Sequence, residues 1–204
     1  MAFTVHAVMP GVWHIVDCMG VCMTLLEGEN AAMLVDTGYG IEDVADFMRH
    51  MTDLPLTVFL THNHHDHAMG ARCFPETYML EADMADWRMF TNDEMRRRVL
   101  TQAIGKNLTV DEKTFLAGEI PLPKVMKPGV IDLGGLTAEI IEAPGHTPGS
   151  AVVYVPERKL LLSGDDWNPC TWLFFPQALG LREYRSNMRG IQQLPFEKVL
   201  CPHR

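Results

Sequence analysis

The sequence predicts an α/β (α+β) fold in which two β-sheets pack together and helices cover them on the outside. Short apolar, β-branched runs separated by glycine-containing turns occupy the first third of the 204-residue chain and return after residue 136. Segments whose apolar residues recur at helical spacing lie between these strand-rich regions and after the second one. Strands in both halves with helices between them therefore predict two sheets enclosed by helices, without specifying the strand order.

The N-terminal third is predicted to contain four short strands followed by one helix. Turns at residues 10–11 and 28–30 separate some of these strands. The predicted strands cover residues 4–8, 12–16, 23–27 and 32–35. Residues 41–51 carry apolar side chains at helical spacing, and residues 56–60 form a short apolar run that predicts a buried strand.

The rest of the chain is predicted to begin with a helical region and to end with strands. Residues 81–102 have a helical pattern, whereas residues 106–128 contain three prolines and predict irregular structure. Further strands are predicted at residues 136–141, 151–155, 159–163 and 198–201, with a helix at residues 181–194. We expect a single domain spanning residues 1–204, with residues 81–128 as a helical insertion.

Composition and charge argue against several classes of protein. The formal net charge is −9, so the surface is expected to repel nucleic acid and anionic membranes. No run of about 18 apolar residues is available to span a membrane. The N-terminus lacks the pattern of a signal peptide, which predicts a cytoplasmic protein. Five cysteines occur without a CxxC pair, which argues against a disulfide framework and against a thiolate zinc site.

Residues 62–67 carry the strongest functional signal, because four histidines and one aspartate occur within six positions. They directly follow the apolar run of residues 56–60, so a loop at the end of a buried strand can turn several side chains toward one point. Neutral imidazoles and carboxylates are ligands that divalent transition metals prefer. The alternatives are a solvated polar loop and a histidine-rich tract without a role. The pattern favours a metal site.

Three later residues follow predicted strands and supply further ligand types. His146 lies in a loop with proline and glycine on both sides, which can present a single side chain rigidly. Asp165 follows Gly164 at the end of a predicted buried strand, where a carboxylate is costly unless it is paired or metal-bound. His203 follows the last short strand. Taken singly, these residues also fit a turn histidine, a capping or turn aspartate, and a terminal histidine.

In this order, the residues resemble the pattern of the metallo-β-lactamase superfamily. That pattern is His-x-His-x-Asp-His, then a lone His, a lone Asp after Gly, and a lone His, each at a strand end. The matching residues are His62, His64, Asp66, His67, His146, Asp165 and His203. Residues 34–38, Leu-Val-Asp-Thr-Gly, also resemble the early Asp-Thr-Gly element of that family.

The resemblance implies the metallo-β-lactamase fold, a four-layer αββα sandwich of two mixed β-sheets with metals at one sheet edge. It also places Asp36 beside the site, where its carboxylate is expected to orient a histidine ligand, although a turn aspartate is an equal interpretation. The implied ligands are His62, His64 and His146 for the first metal, Asp66, His67 and His203 for the second, and Asp165 as a bridge between the metals.

A site of this kind favours hydrolysis. Two metals about 3.5–4 Å apart can share one water and lower its pKa to roughly 7. Asp66 is the predicted catalytic residue, because it can bind the second metal and also orient or accept the proton of that water. All predicted ligand atoms are nitrogen or oxygen. Two Zn²⁺ ions are expected, and iron or manganese would also fit these donors.

The resemblance is strongest to glyoxalase II enzymes, which implies a hydrolase acting on a thioester, a lactone or a related acyl compound. The alternative is an oxidoreductase similar to the persulfide dioxygenases, which use one iron held by residues corresponding to His62, His146 and Asp165. A small molecule is the expected partner, with neither nucleic acid nor membrane. The apolar residues of segment 81–128 are expected to cover the metal pocket, and the alternatives are a helix packed on the sandwich or the contact of a homodimer.

Two further groups of residues each have two interpretations. Arginines at positions 96–98, 182 and 185 predict either a contact to an anionic substrate or, more commonly, a solvated helix face. Aromatic residues after the bridging aspartate predict either a pocket wall or core filling. These aromatic residues are Trp167, Trp172, Phe174 and Phe175.

Overall fold

Two β-sheets face each other in the structure, a computed structural model that describes residues 3–203. The first sheet has seven strands in sequence order; its first four strands are antiparallel, and the fourth to the seventh are parallel. Its strands are β1 (Thr4–Met9), β2 (Val12–Val16), β3 (Cys22–Glu27), β4 (Ala32–Val35), β5 (Leu56–Phe59), β6 (Tyr78–Met79) and β7 (Lys124–Val125).

The second sheet has five strands from the C-terminal half of the chain. These strands are β8 (Gly129–Asp132), β9 (Thr137–Glu142), β10 (Ala151–Val155), β11 (Leu160–Leu162) and β12 (Lys198–Leu200). Their spatial order is β12-β11-β10-β9-β8, with β11 and β12 parallel and the other pairs antiparallel. Both sheets are therefore mixed, as the resemblance implies, and the predicted fold class is confirmed.

Helices lie outside the two sheets and in the connection between β6 and β7. They are α1 (Val44–Met51), α2 (His65–Ala68), α3 (Trp87–Thr91), α4 (Asp93–Gly105), α5 (Glu112–Phe115) and α6 (Leu181–Ile191). Among residues 3–203, no helix combines the length and the apolar character that a membrane crossing requires. All five cysteines are free thiols, as the absence of a CxxC pair predicts.

The central strands are buried on both faces, which explains their continuous apolar sequences. Leu26 of β3 and Val153 of β10 belong to the cluster between the two sheets. Their neighbours point the other way, Leu25 into the cluster beneath α1 and Val152 into the cluster beneath α6. The order of layers is therefore α1, first sheet, second sheet, α6.

The segment between β6 and β7 differs from the prediction in two ways. A continuous helical pattern over residues 81–102 is predicted, but a 3-10 turn at residues 81–83, α3 and α4 occupy this region as separate elements. The backbone of Asn92 is extended, so the helical conformation is interrupted between α3 and α4. Asn92 is also the N-cap of α4, because its side chain accepts a hydrogen bond from the Met95 amide. Residues 106–128, predicted to be irregular, contain α5 and β7.

Arg96 is buried, so the prediction of a solvated face for residues 96–98 is wrong at this position. Its side chain is 1% exposed. The guanidinium donates hydrogen bonds to the carbonyls of Phe115, Ala117 (3.2 Å) and Gly118 (2.7 Å). These carbonyls lie at the end of α5 and just after it and lack helical partners, which is why a buried cation is tolerated here.

A close backbone approach joins the segment after β4 to the turn that follows α2. Position 70 has no room for a side chain, because a Cβ on Gly70 would lie 2.2 Å from the Thr37 carbonyl oxygen. The Thr37 amide and hydroxyl also both donate to the His67 carbonyl at 2.8 Å. The absence of a side chain at position 70 therefore lets these two segments meet.

We expect Gly70→Ala to lower the free energy of unfolding by about 1–3 kcal/mol, because the backbone must move to admit the methyl group. The matched control is Gly190→Ala in α6, where no atom lies within 4 Å of the added carbon. That change should raise stability by about 0.5–1 kcal/mol, as alanine favours the helix. Urea unfolding measures both, and equal stability of Gly70→Ala and the wild type would contradict the close approach.

Candidate metal centre

Five segments of the chain end at one edge of the two sheets. The parallel pairs β4–β5 and β11–β12 each place their carboxyl ends side by side. The loop between β9 and β10 reaches the same place. The predicted site residues follow these strand ends: Asp36 after β4, residues 62–67 after β5, His146 after β9, Asp165 after β11 and His203 after β12.

The first group of potential ligands consists of His62, His64 and His146. One nitrogen of each ring lies within 4.8 Å of the others. Nδ1 of His64 is 2.8 Å from Nε2 of His146. All three residues are buried, so these nitrogens face a space that is closed to bulk water on most sides.

The second group consists of Asp66, His67 and His203, and its potential ligand atoms also lie within 4.8 Å of one another. Nε2 of His67 is 3.3 Å from Nε2 of His203. The Asp66 Oδ2 atom lies 3.8 Å from the His67 nitrogen and 3.5 Å from the His203 nitrogen. Residues 136 positions apart in the sequence therefore share one small volume.

The Asp165 carboxylate lies between the two groups. Its Oδ2 is 3.4 Å from Nε2 of His146 in the first group. Its Oδ1 is 3.5 Å from Nε2 of His67 and 3.2 Å from Nε2 of His203 in the second group. One carboxylate thus presents an oxygen to each group.

Four of the imidazoles are held by a partner at one ring nitrogen. A partner at one nitrogen orients the ring and leaves the other nitrogen for the shared space. The contacts are His62 Nδ1 to Thr61 Oγ1 (3.1 Å), His64 Nε2 to the Gln177 amide nitrogen (2.9 Å), His67 Nδ1 to Asp36 Oδ2 (2.9 Å) and His146 Nδ1 to the Trp172 carbonyl (2.7 Å).

The inward nitrogen of His62 provides a test of whether a metal fits. Within residues 3–203, this buried Nε2 atom has no hydrogen-bond partner. A buried polar atom without a partner is rare in folded proteins, because it loses its interaction with water and gains nothing in return. A cation would use this lone pair, and the surrounding nitrogen and oxygen donors suit divalent zinc, iron or manganese.

Burial keeps the histidines of the first group neutral. It lowers the pKa of His62 well below the ordinary value, and the neighbouring His67 and His64 rings lower it further. Burial also lowers the pKa of His64 to about 3 and lowers the pKa of His146. Neutral imidazole is the form that binds metals, so at neutral pH no proton has to leave these rings first.

The second group has the opposite balance of charge. Burial lowers the pKa of His67, but the carboxylates of Asp165, Asp66 and Asp36 outweigh burial and hold that pKa well above its ordinary value. Burial raises the pKa of Asp165, but His67 and His203 hold it well below its ordinary value. Positive charge at this position therefore stabilises the ionised carboxylates, and either protons or a metal ion can supply it.

Asp36 connects the end of β4 to the histidine motif. Its backbone has a φ of 64°, a left-handed conformation that aspartate tolerates better than most residues. Its Oδ1 accepts a hydrogen bond from the Thr61 amide at 2.7 Å, while Oδ2 faces Nδ1 of His67. Asp36 thus contacts both the start and the end of the motif, as its predicted orienting role requires.

His65 is the one motif histidine for which no ligand role is predicted. Its ring packs edge-on against Tyr39 with the centroids 5.5 Å apart. Nδ1 lies 3.9 Å from Oδ1 of Asp66. Among the described residues, it belongs to none of the three-residue groups that could hold an ion.

The loop 166–180 contributes contacts that the sequence does not predict. The Gln177 amide reaches His64, and the Trp172 carbonyl reaches His146, as described above. The Phe175 ring lies 4.9 Å from the His64 ring, so part of this aromatic run lies at the centre. Aromatic composition signals the loop, whereas no pattern in the sequence marks Gln177.

Two further carboxylates hold the loops that carry the histidines. Asp83 accepts hydrogen bonds from the Asn63 amide (3.1 Å), the Thr147 hydroxyl (2.7 Å) and the Gly149 amide (2.6 Å), so it ties the motif to the His146 loop. Asp166 accepts from the His146 amide at 2.7 Å, and burial raises the pKa of Asp166 to about 7. Neither residue belongs to a recognisable motif.

A profile of the metallo-beta-lactamase superfamily matches residues 16–203. The chain belongs to the metallo-β-lactamase superfamily. This membership confirms the resemblance that residues 62–67 and the later histidines and aspartate indicate. The two mixed sheets of the chain agree with it.

Proteins similar to this chain include enzymes named for different substrates. The acyl-coenzyme A thioesterase MBLAC2 of Gallus gallus is 26% identical over 202 residues, which cover 88% of this chain and 70% of that protein. A linear primary-alkylsulfatase of a Pseudomonas strain is 23% identical over 173 residues, which cover 69% and 32%. The metallo-beta-lactamase of Pontibacter korlensis has a TM-score of 0.69 at 18% identity, covering 100% of this chain and 92% of its own.

We expect Gln177→Ala to weaken Zn²⁺ binding about 10–100-fold, because the His64 ring loses the group that holds its outer nitrogen. Gln177→Glu should retain most of the affinity, since a carboxylate accepts the proton that this nitrogen carries when the other nitrogen of the ring binds a metal. Competition with a chelating dye measures the affinity. Gln102→Ala, at an exposed position of α4, is the control, and an unchanged affinity of Gln177→Ala would contradict the orienting contact.

Proposed function

We propose that this chain is a metal-dependent hydrolase with a binuclear centre and that it cleaves an acyl thioester. The observation that carries the proposal is the position of the Asp165 carboxylate, which presents one oxygen to each of two groups of three potential ligands. A bridging carboxylate between two such groups suits a pair of divalent cations. Zinc is the expected metal.

The proposed ligands are the residues on which the motif and the geometry agree. The first ion would be held by neutral imidazoles, and the second by a mixed set that includes a carboxylate. The sets are His62, His64 and His146 for the first ion, Asp66, His67 and His203 for the second, and Asp165 for both. These donors also fit iron or manganese, so elemental analysis has to identify the metal.

Bound divalent ions would supply a water of lowered pKa and polarise the carbonyl of the substrate. The protein side chains would do the rest. Asp66 lies beside His67 and His203, where its carboxylate can accept the proton of the attacking water. Attack on the carbonyl carbon breaks the C–S bond and yields a carboxylic acid and a thiol. No serine or cysteine nucleophile is needed.

Aromatic side chains limit the access of water to this chemistry. The Phe90 ring lies 4.4 Å from the His64 ring on one side, and the Phe175 ring lies 4.9 Å away on another. Apolar walls strengthen the electrostatic interactions of the enclosed groups, because they replace water near the reacting carbonyl. An apolar acyl group would also be retained here.

The choice of a thioester is supported by the extent of the similarity to the thioesterase. That similarity covers 88% of this chain and 70% of the relative, whereas the similarity to the alkylsulfatase covers only 32% of that enzyme. It also agrees with the acyl substrates that the glyoxalase II resemblance implies. A mono-iron oxidoreductase is the competing possibility that metal analysis distinguishes.

We expect His64→Ala and Asp165→Ala each to lower thioester turnover at least about 100-fold, the loss typical of removing one group that stabilises charge in an active site. Elemental analysis of the wild type should find two ions per chain, and both variants should keep the wild-type circular dichroism spectrum. His65→Ala is the matched control within the motif and should retain activity. Unchanged turnover in either ligand variant, or a single iron per chain, would overturn the proposed centre.

A substrate panel tests the choice of bond. We expect kcat/KM to be highest for acyl-coenzyme A thioesters, followed by lactones, with alkyl sulfates and β-lactams poor substrates. Thiol release monitored with a disulfide reagent measures thioester cleavage, and prior treatment with a chelator should abolish it. Preference for an alkyl sulfate would show that the chain shares the chemistry of its other relative.

A further inference from the structure

A cavity lies beside the metal centre, between the start of loop 166–180 and α6. Its volume is about 590 Å³, within the range of pockets that hold small organic ligands. Trp167, Tyr184 and the exposed Arg185 and Arg189 are among the residues that line it. The cavity therefore combines flat apolar surfaces with concentrated positive charge.

The cavity and the metal centre share a wall. Trp167 is two residues after Asp165, the proposed bridging ligand. The Tyr184 hydroxyl donates to the Asp166 carbonyl at 2.6 Å. The Tyr184 ring also lies against Gly145, where an added Cβ would be 2.5 Å from it, next to His146. A ligand in the cavity would therefore lie one layer of side chains from the reacting groups.

The two arginines of the cavity form no ion pair with another residue in the part of the chain that the structure describes. Arg185 and Arg189 are four residues apart in α6, so their side chains lie on the same face of the helix. None of the ion pairs formed among residues 3–203 includes either of them. In a chain with a net charge of −9, two unpaired guanidinium groups in one cavity indicate an anionic ligand.

We propose that this cavity binds the phosphorylated nucleotide end of the thioester substrate, an inference that rests on the proposed thioesterase function. Arg185 and Arg189 would bind the phosphate groups, because the planar guanidinium pairs with two phosphate oxygens at once. The indole ring of Trp167 would contact the base, since aromatic rings stack on nucleobases of any sequence.

The chemistry of a coenzyme A thioester matches the arrangement of the two sites. Its acyl carbon and sulfur lie at one end, a nucleotide with three phosphate groups lies at the other, and a flexible amide chain joins them. The thioester would occupy the metal centre, and the chain would pass the segment from Asp165 to Trp167. Recognition of the nucleotide would then be independent of the length of the acyl group.

Direct binding tests the cavity without metal or turnover. The probe is adenosine 3′,5′-bisphosphate, which carries the base and phosphates but no thiol, and calorimetry measures its Kd. The double variant Arg185→Gln/Arg189→Gln should weaken binding about tenfold or more, because it removes two charge-assisted contacts. Arg182→Gln is the matched control, since Arg182 is exposed on the same helix but outside the cavity walls. Its Kd should stay within about twofold of the wild type.

Kinetics then connect the cavity to the substrate. For an acyl-coenzyme A, the double variant should raise KM about tenfold and leave kcat unchanged, since the contacts lie far from the reacting bond. For the same acyl group on N-acetylcysteamine, a thioester without the nucleotide, the wild type and the double variant should have equal KM values.

The outcomes separate this inference from the proposed function. Absence of bisphosphate binding, an equal loss of binding in Arg182→Gln, or equal KM effects on the two thioesters would overturn the nucleotide site while thioester hydrolysis stands. Binding that depends on Arg185 and Arg189, without hydrolysis of any thioester, would support a nucleotide site and overturn the proposed reaction.

Discussion

The convergence of buried imidazoles and carboxylates at one sheet edge is the constraint on which the rest of the structure depends. Such groups are costly to bury, because each loses water and must find a hydrogen bond, an opposite charge or a metal. The parallel pairs β4–β5 and β11–β12 bring their carboxyl ends together from the two halves of the chain. The apolar cluster between the sheets then holds these ends within reach of one another.

The charge at the centre is divided between two environments only a few ångströms apart. Burial keeps the first group neutral and ready to donate lone pairs, as the lowered pKa of His62 and of His64 indicates. The carboxylates of the second group raise the pKa of His67, so positive charge is already favoured there. A cation at the second position would therefore replace protons, whereas a cation at the first would meet lone pairs that are free.

Residues around the centre position the loops that carry the histidines and also connect the centre to the neighbouring cavity. Asp83 and Asp166 bind the backbone of the loops that carry the histidines, so these contacts help to fix the positions of the imidazoles. Loop 166–180 contacts His64 and His146 on one side and opens toward the arginine-lined cavity on the other. One segment would therefore link the proposed reaction at the centre to the proposed recognition of a distant part of the substrate.

The sequence by itself determined the chemistry of the site, because residue types, spacing and order indicate the family. Three strands also have the bounds that their apolar patterns predict: Val12–Val16, Ala32–Val35 and Ala151–Val155. Only the tertiary structure decided that Arg96 is buried, that β8 pairs with β9 despite its exposed side chains, and that Gln177 reaches His64. Residue types that can bind a metal are recognisable in the sequence, because this ability belongs to the individual side chain. Contacts between distant segments depend on how the layers pack. A single glutamine or arginine in the sequence therefore does not indicate which residue it will contact in the fold.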